Sequence, residues 1–337
     1  MQIPRQQMSS REIVETTLKK HNCENSTLIL GISGGSDSMY MLKILSEIAP
    51  KLNLKLIVAH VNHMLRGNES DTDEKFVKMA CNSLKIKCES AKINIKKFQK
   101  SEKLNLESAA RTKRYEFLRK IKGKYKAKFI LLAHNATDNT ETVLLNLIRG
   151  TSIRGLSGIS ELNGDILRPL LPFSKKEIEK YCKKENIKFR IDKTNFDIKL
   201  KRNFIRHKLI PQIEKLNPNF TQTTLKKSQY FKQAHEFLSN LAENWINSNC
   251  KIEKHRINCD SKILASESDF LKKLIIENIY EKFNGSTLDL ESTHIDELLK
   301  VINKNVGNKE KQIGTRIGIK KISGKAIFYK TASSKPS

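Results

Sequence analysis

The stretch LILGISGGSDS, residues 28–38, decides the fold class of this chain. An apolar run with the length of a buried strand, Leu28–Ile32, leads into a turn rich in glycine and serine. The helical pattern that follows begins near Ser38. A strand, a glycine-rich turn and a helix N-terminus together form an anion site, because close backbone N–H groups and the helix dipole both favour negative charge. The stretch therefore predicts a phosphate-binding loop.

This loop differs from that of an ordinary P-loop NTPase. A Walker A loop has a lysine directly after its second conserved glycine, and no lysine follows Gly35. Asp37 would be repelled by phosphate unless a cation lay between them, so we predict that Asp37 is a ligand of Mg²⁺. A loop that only turns the chain is the alternative, and the flanking strand and helix argue against it.

Apolar runs alternate with helical patterns through the first half of the chain. Three apolar runs have the length of buried strands: Leu28–Ile32, Leu56–Val61 and Phe129–Ala133. Three helical patterns lie near residues 38–49, 70–84 and 106–122. Such alternation favours parallel βαβ units with helices on both faces of the sheet. We therefore predict an α/β domain with a doubly wound, mainly parallel, Rossmann-like sheet.

A break in the helical pattern suggests a second domain. Asn217-Pro218-Asn219 interrupt the pattern because proline and asparagine favour turns, so we divide the chain into residues 1–216 and 217–337. Helical patterns dominate the residues beyond the break, and Ile317–Tyr329, with Ser323-Gly324 at its centre, has the pattern of a hairpin. The second domain is therefore predicted to be smaller and mainly helical, with a terminal β hairpin.

Charge and cysteine content limit the class of protein. The 337 residues include 63 Lys and Arg against 36 Asp and Glu, a formal net charge of +27. Such a charge attracts nucleic acid, although an AT-rich genome also produces a lysine-rich composition. The six cysteines form no C-x-x-C pair, which predicts reduced thiols. The N-terminus lacks the apolar core of a signal peptide and no run suits a membrane span, so we expect a soluble, cytoplasmic protein.

Residues 33–38 resemble the SGGxDS loop of the N-type ATP pyrophosphatase (PP-loop) superfamily. Further blocks are similar to the tRNA(Ile)-lysidine synthase family. These blocks are HVNHMLR from His60 to Arg66, ESAAR from Glu107 to Arg111 with Arg114 and Tyr115, the run from Leu132 to Thr142 with Arg149 and Gly150, and Asp192 and Asn195 with Arg202, Asn203, Arg206 and Pro211. Two positions depart from the family pattern, since Asn135 replaces a usual histidine and Thr137 a frequent aspartate. We assign no essential role to either.

The resemblance implies a two-step reaction that uses ATP and Mg²⁺. The O2 atom of cytidine 34 in the CAU anticodon of tRNA(Ile) attacks the α-phosphate of ATP and releases pyrophosphate. The ε-amine of free L-lysine then displaces AMP from C2 and leaves lysidine. Adenylation turns a poor leaving group into a good one, and the amine must lose a proton before it attacks. Longer family members carry another C-terminal domain, which we expect this chain to lack.

The resemblance also implies which residues form the site. The expected ATP ligands are Ser33, Gly34, Gly35, Ser36, Asp37, Ser38, His60, His63 and His134. A zinc site at His60 and His63 is the less favoured alternative, because no third ligand is evident. The expected participants in catalysis are Asp37, Arg111, Asp138 and Glu141. Candidate tRNA contacts are Arg149, Arg154, Arg202 and Arg206, each of which also suits surface charge.

Asp138 and Glu141 lie three residues apart at the start of a predicted helix, so their side chains share one face. The helix follows a strand end, where open α/β sheets bind ligands. Our hypothesis is that these carboxylates orient the ammonium group of lysine or accept its proton. The alternative is that they only favour the helix dipole.

Three other functions stay open. A tRNA thiolase on the same loop would need paired cysteines, and none of the six is suitably spaced. A small-molecule synthetase or amidotransferase would not depend on RNA, which leaves the basic second domain without a task. An RNA-binding module without catalysis would not bind ATP. The sequence also leaves open whether the protein is a homodimer, which carboxylate is the base, and how tRNA(Ile) is told from tRNA(Met).

Overall fold

A computed structural model describes residues 8–65, 67–102, 105–191, 197–285, 287, 290–303, 309–313 and 317–331. The chain divides into two compact units, Met1–Phe231 and Lys232–Ser337. The division falls within one long helix, Phe220–Asn249. The domain boundary that we placed between residues 216 and 217 stays a prediction.

The first unit contains a six-stranded sheet. Its strands are β1 (Thr27–Gly31), β2 (Lys55–Asn62), β3 (Lys87–Lys92), β4 (Phe129–Leu132), β5 (Leu162–Asn163) and β6 (Ile166–Leu167). Their order across the sheet is β3-β2-β1-β4-β6-β5, and only the β5–β6 pair is antiparallel. The predicted mainly parallel sheet is therefore confirmed, and its central strands are the three apolar runs.

Helices lie on both faces of this sheet. The helices of this unit are α1 (Ser10–Lys20), α2 (Ser36–Ile48), α3 (Asn68–Ser83), α4 (Ile95–Glu102), α5 (Leu106–Lys124), α6 (Ala136–Arg149), α7 (Ile153–Leu156), α8 (Lys175–Lys184), α9 (Lys201–Phe204) and α10 (Ile210–Leu216), with a π-helical segment at Ile205–Leu209. Leu28 and Leu30 of β1 belong to one core with α1, α2, α3 and α8, and Ile29 belongs to a second core with α5. Alternate strand residues thus bury opposite faces, as a doubly wound sheet requires.

The second unit combines helices with an antiparallel sheet. Its elements are the rest of α11 (Phe220–Asn249), β7 (Cys250–Glu253), β8 (Arg256–Asp260), α12 (Ser261–Ser266), α13 (Asp269–Asn284), α14 (Ser292–Asn303), β9 (Lys309–Ile313), β10 (Ile317–Ile322) and β11 (Lys325–Tyr329). The predicted hairpin is β10–β11, with positive φ at both Ser323 and Gly324, the geometry of a tight hairpin turn. It belongs to a five-stranded sheet of order β7-β8-β11-β10-β9.

One expectation about the cysteines is wrong. Cys250 and Cys259 face each other across β7 and β8 and form a disulfide, although we predicted reduced thiols throughout. The strand register brings their Cα atoms to 4.3 Å, a proximity that residue spacing alone does not reveal. The other four cysteines are free thiols, and Cys23, Cys81 and Cys182 are buried.

A helix that spans a bilayer needs about 20 consecutive, mainly apolar residues. Among the described residues, none forms a helix both long enough and apolar enough to cross a membrane.

Candidate functional site

The phosphate-binding loop joins β1, which ends at Gly31, to α2, which begins at Ser36. Gly34 has a φ of +94°, a conformation that residues with a Cβ atom rarely adopt. The hydroxyl of Ser38 closes the loop, because it accepts hydrogen bonds of 3.2 Å from the Ser33 and Gly34 amides and donates to the Gly35 carbonyl. The amide of Met39 is the first in α2 to donate a helical hydrogen bond, which the carbonyl of Gly35 accepts. The amides of the three residues before it have no helical acceptor and are available to bind an anion.

A cleft of about 440 Å³ lies beside this loop, where β1, β2 and β4 end. It gathers most of the predicted nucleotide ligands: Ser33, Gly35, Asp37, Ser38, His60, His63 and His134. Gly31 lets the Leu132 side chain pack directly against β1, since a Cβ atom there would lie 2.6 Å from Cδ2 of Leu132. Gly34 is buried within the loop. The predicted set thus converges at the carboxyl edge of the sheet.

The cleft histidines are held in the neutral form. His60 donates a 2.8 Å hydrogen bond from Nδ1 to the carbonyl oxygen of Ile32, which ties β2 to the start of the loop. Burial lowers the pKa of His60, and it lowers the pKa of both His63 and His134 to about 4. Neutral imidazoles near neutral pH contribute hydrogen bonds rather than positive charge.

Asp37 pairs with a lysine that our sequence analysis missed as a site residue. Nζ of Lys175 lies 2.7 Å from Oδ2 of Asp37 and 2.7 Å from Oγ of Ser36. The other oxygen, Oδ1 of Asp37, is buried without a hydrogen-bond partner, and burial raises the pKa of this carboxyl group. An unpartnered carboxylate oxygen beside a phosphate loop fits Mg²⁺, which takes one or two carboxylates together with phosphate oxygens and water. No three His, Cys, Asp or Glu residues of the described segments cluster as a metal site.

Asp138 and Glu141 are engaged by two arginines in the structure. Glu141 is fully buried and accepts from Nε of Arg202 at 2.7 Å and from Nη2 of Arg206 at 3.0 Å. Nη2 of Arg206 also lies 3.1 Å from Oδ1 of Asp138. Arg206 projects from the π-helical segment, a local geometry that is frequent at functional sites. Two of the four arginines that we predicted as tRNA contacts therefore form ion pairs with the predicted catalytic carboxylates.

Asn135 has a structural role at the same helix. Its side chain accepts from the Asp138 amide at 3.0 Å while the Asp138 carboxylate accepts from its backbone N–H, which forms a capping box. The residue that departs from the family pattern thus starts α6 and sets the direction of Asp138.

Arginines surround Tyr115 on α5. The guanidinium of Arg111 lies over the ring at 4.9 Å from its centroid and is exposed, outside the residues that line the cleft. Arg114 does line the cleft, and its Nε is buried without a hydrogen-bond partner. Burial lowers the pKa of this guanidinium. An unpartnered donor on a residue that lines this cleft fits a phosphate oxygen.

The remaining predicted residues lie elsewhere or outside the described segments. Arg149 is exposed at the end of α6, and Arg154 lies on α7. Neither lines the cleft. Three residues of the family blocks lie outside the described residues: Arg66, Asp192 and Asn195.

A second cavity, of about 860 Å³, opens beside the same loop. Ser33, Gly35 and Asp37 line both spaces. Its other polar lining residues include Ser36, Thr137, Lys175, Arg206, His207 and Gln222. Asp37 also interacts electrostatically with Asp138 and Arg206. The phosphate-binding loop is therefore shared between two pockets, which suits a reaction between two separately bound substrates.

The fold and loop define a nucleotide-binding α/β domain of the PP-loop class, and residues 7–213 match the PP-loop domain family. The chain belongs to that family. It is 36% identical over 301 residues to a tRNA(Ile)-lysidine synthase of Caldanaerobacter subterraneus, a match covering 88% of this chain and 64% of that protein. The corresponding match to a tRNA(Ile)-lysidine synthase of Clostridium tetani is 34% over 300 residues, again 88% and 64%. This chain thus spans less than two thirds of the length of these curated relatives.

The fold is also similar to a solved structure. A U34-tRNA thiolase of Methanococcus maripaludis superposes with a TM-score of 0.56 at 20% identity, covering 66% of this chain and 77% of the thiolase. At that identity the likeness concerns the fold alone.

Proposed function

We propose that this protein is a tRNA(Ile)-lysidine synthase, a ligase that joins free L-lysine to C2 of cytidine 34 in the CAU anticodon of tRNA(Ile) at the expense of ATP. The named relatives and membership of the PP-loop family support this activity and ATP as its nucleotide. The observation that carries the proposal is the loop bearing Asp37, which lines two pockets at once. ATP bound in one pocket can then meet the cytidine and the amine that enter through the other.

The first step places the α-phosphate of ATP against O2 of the cytidine. The free amides at the start of α2 and the loop hydroxyls bind the pyrophosphate portion, where negative charge develops as the bond breaks. Arg114 supplies a further buried donor to the phosphates. Asp37 would hold Mg²⁺, which neutralises phosphate charge when bound. The exposed Arg111 is assigned to the same step by family resemblance alone.

The second step needs a neutral amine, and an unperturbed lysine side chain has a pKa of about 10.4. We assign to Asp138 and Glu141 on α6 the task of orienting the ammonium group or accepting its proton, and Asp138 interacts electrostatically with Asp37 of the loop. Arg202 and Arg206 hold these carboxylates in one arrangement. The two arginines thus orient the base before lysine arrives.

The positive net charge of the chain supports RNA as its macromolecular partner. A formal net charge of +27 attracts the tRNA backbone and accelerates encounter at low ionic strength. Arg149 and Arg154 remain candidates for phosphate contacts. We propose that the enzyme acts in the cytoplasm, where free lysine, ATP and tRNA occur together.

The test is incorporation of labelled lysine into CAU-anticodon transcripts of tRNA(Ile) and tRNA(Met), with and without ATP. We expect ATP-dependent labelling of tRNA(Ile) alone, with release of AMP and pyrophosphate. A preparation that binds ATP yet labels neither transcript would refute the proposal. Sulfur transfer and small-molecule amidation would then be assayed on the same protein.

A further inference from the structure

Arg168 is a buried arginine that contacts His134, one of the histidines that line the cleft. It follows β6 directly and is 5% exposed, although none of the family blocks contains it. Its Nε lies 3.2 Å from Nδ1 of His134, and its Nη1 donates a 2.8 Å hydrogen bond to the carbonyl of Ser160. β6 pairs in parallel with β4, which ends two residues before His134. Two neighbouring strand ends thus bring this arginine and this histidine together.

We propose that Arg168 is a positioning residue that fixes His134 as a neutral imidazole with its proton on Nε2, so that His134 donates a hydrogen bond to an oxygen atom of the bound nucleotide. A guanidinium group has only donors and stays charged in proteins. The nitrogen it contacts, Nδ1 of His134, must therefore accept. A neutral imidazole carries one proton, which then resides on the opposite nitrogen.

The surroundings of His134 support the neutral form. Burial is the largest influence on its pKa, which falls to about 4. The charged groups that act on the ring are Asp138 on α6, Arg114 on α5, Arg202 on α9 and Arg168 itself. Three of these four are cations, and they oppose protonation. His134 therefore stays neutral near neutral pH.

This assignment separates His134 from the proton-transfer chemistry of the site. A ring whose acceptor nitrogen is engaged by arginine cannot remove a proton from lysine, so that task stays with the carboxylates on α6. The assignment to ATP of the oxygen that accepts from His134 rests on the proposed function. The tautomer itself does not, because it follows from the contact with Arg168.

The first experiment observes the tautomer in the full-length, ligand-free protein. Long-range ¹H–¹⁵N spectra of ¹⁵N-histidine-labelled protein distinguish the two tautomers and the imidazolium ion, and His134→Gln identifies the signal. We expect the Nε2–H tautomer, unchanged between pH 7.5 and pH 5.5. A proton on Nδ1, or a cationic ring at pH 7, overturns the proposal without reference to any activity.

The second experiment compares Arg168→Met with Arg119→Met, which removes an exposed arginine from α5. Loss of a neutral hydrogen bond lowers ATP affinity about fivefold at pH 7.5. In Arg168→Met the histidine spectrum should show a share of the Nδ1–H tautomer, because the donor that makes Nδ1 an acceptor is gone. The wild type and Arg119→Met should show neither the loss of affinity nor the change of tautomer.

A loss of ATP affinity in Arg168→Met with the tautomer of His134 unchanged would show a purely structural role and contradict the proposal. If that variant does not fold, the wild-type spectrum alone decides. Failure of the wild type to bind ATP would instead count against the proposed function, and the tautomer result would stand separately.

Discussion

Nζ of Lys175 lies 2.7 Å from Oδ2 of Asp37, an ion pair that joins the first turn of α8 to the phosphate-binding loop across 138 residues of sequence. Both side chains are partly exposed, at 33% and 27%. The ammonium group lines the larger pocket, where it balances the Asp37 carboxylate that lines both pockets. Bound phosphates would place further negative charge beside the same ammonium.

Replacement of this lysine should weaken nucleotide binding. We expect Lys175→Met to lower ATP affinity about tenfold, since a charge-assisted hydrogen bond contributes about 1.5–3 kcal/mol. Titration calorimetry with ATP and Mg²⁺ measures the change. Lys180→Met, an exposed position on the same helix, is the matched control and should leave ATP affinity unaltered. Equal ATP affinities for the two variants would show that Lys175 only balances the negative charge of Asp37 and does not bind the nucleotide.

Asp37→Asn should separate activity from stability. The charged carboxylate is disfavoured by burial, which raises its pKa, so the neutral amide removes an unfavourable charge while keeping the shape of the loop. We expect lysine transfer to be lost and the Mg²⁺ dependence of ATP binding to disappear. The thermal midpoint should not fall. A clear fall in Tm would mean that the ion pair with Lys175 stabilises the fold more than burial of the charge disfavours it.

Asp138→Asn should stop the second step. The amide keeps a similar shape but cannot accept a proton from lysine, so we expect lysine transfer to be abolished while ATP binding and the fold are retained. Labelled-lysine incorporation and ATP titration on one preparation measure both quantities. Unchanged turnover would eliminate Asp138 as a participant and leave Glu141 as the remaining candidate.

Glu141 should contribute to stability as well as to chemistry. It is fully buried between two guanidinium groups, and removal of one partner from such a cluster typically costs about 3–5 kcal/mol. We therefore expect Glu141→Ala to reduce the free energy of unfolding by about 3 kcal/mol in urea titrations. Arg149→Ala, at an exposed position on the same helix, should change it by less than about 0.5 kcal/mol. Similar values for the two variants would contradict this account.

The cleft histidines predict a loss of stability in mild acid. His60, His63 and His134 have pKa values below the ordinary 6.5, and burial is the main cause. The unfolded chain then binds more protons than the folded one, so their contribution is complete above about pH 6.5 and falls as the pH drops toward 4. Melting curves between pH 7.5 and pH 4.5 measure the effect. A triple replacement by Gln should flatten the dependence, and a slope that persists would assign it to other groups.

The parts of the fold that were predicted correctly have local causes. β1 and β4 are apolar because both of their faces are buried, so their sequences alone mark them as strands. β3 was missed, since its residues are polar and only half buried at the edge of the sheet. The short strand β9 was missed because it is largely polar and obtains its structure from pairing with β10.

The sequence by itself determined the phosphate-binding loop, the order of the α/β units and membership of the PP-loop family, because strand, turn and helix signals lie within a few residues of one another. Only the tertiary structure decided which polar side chains meet: Lys175 with Asp37, Arg206 with Glu141, and Arg168 with His134. These partners are separated by 34 to 138 residues. No local propensity encodes such contacts, since they arise when the parallel strands align their carboxyl ends and the helices that follow pack beside one another.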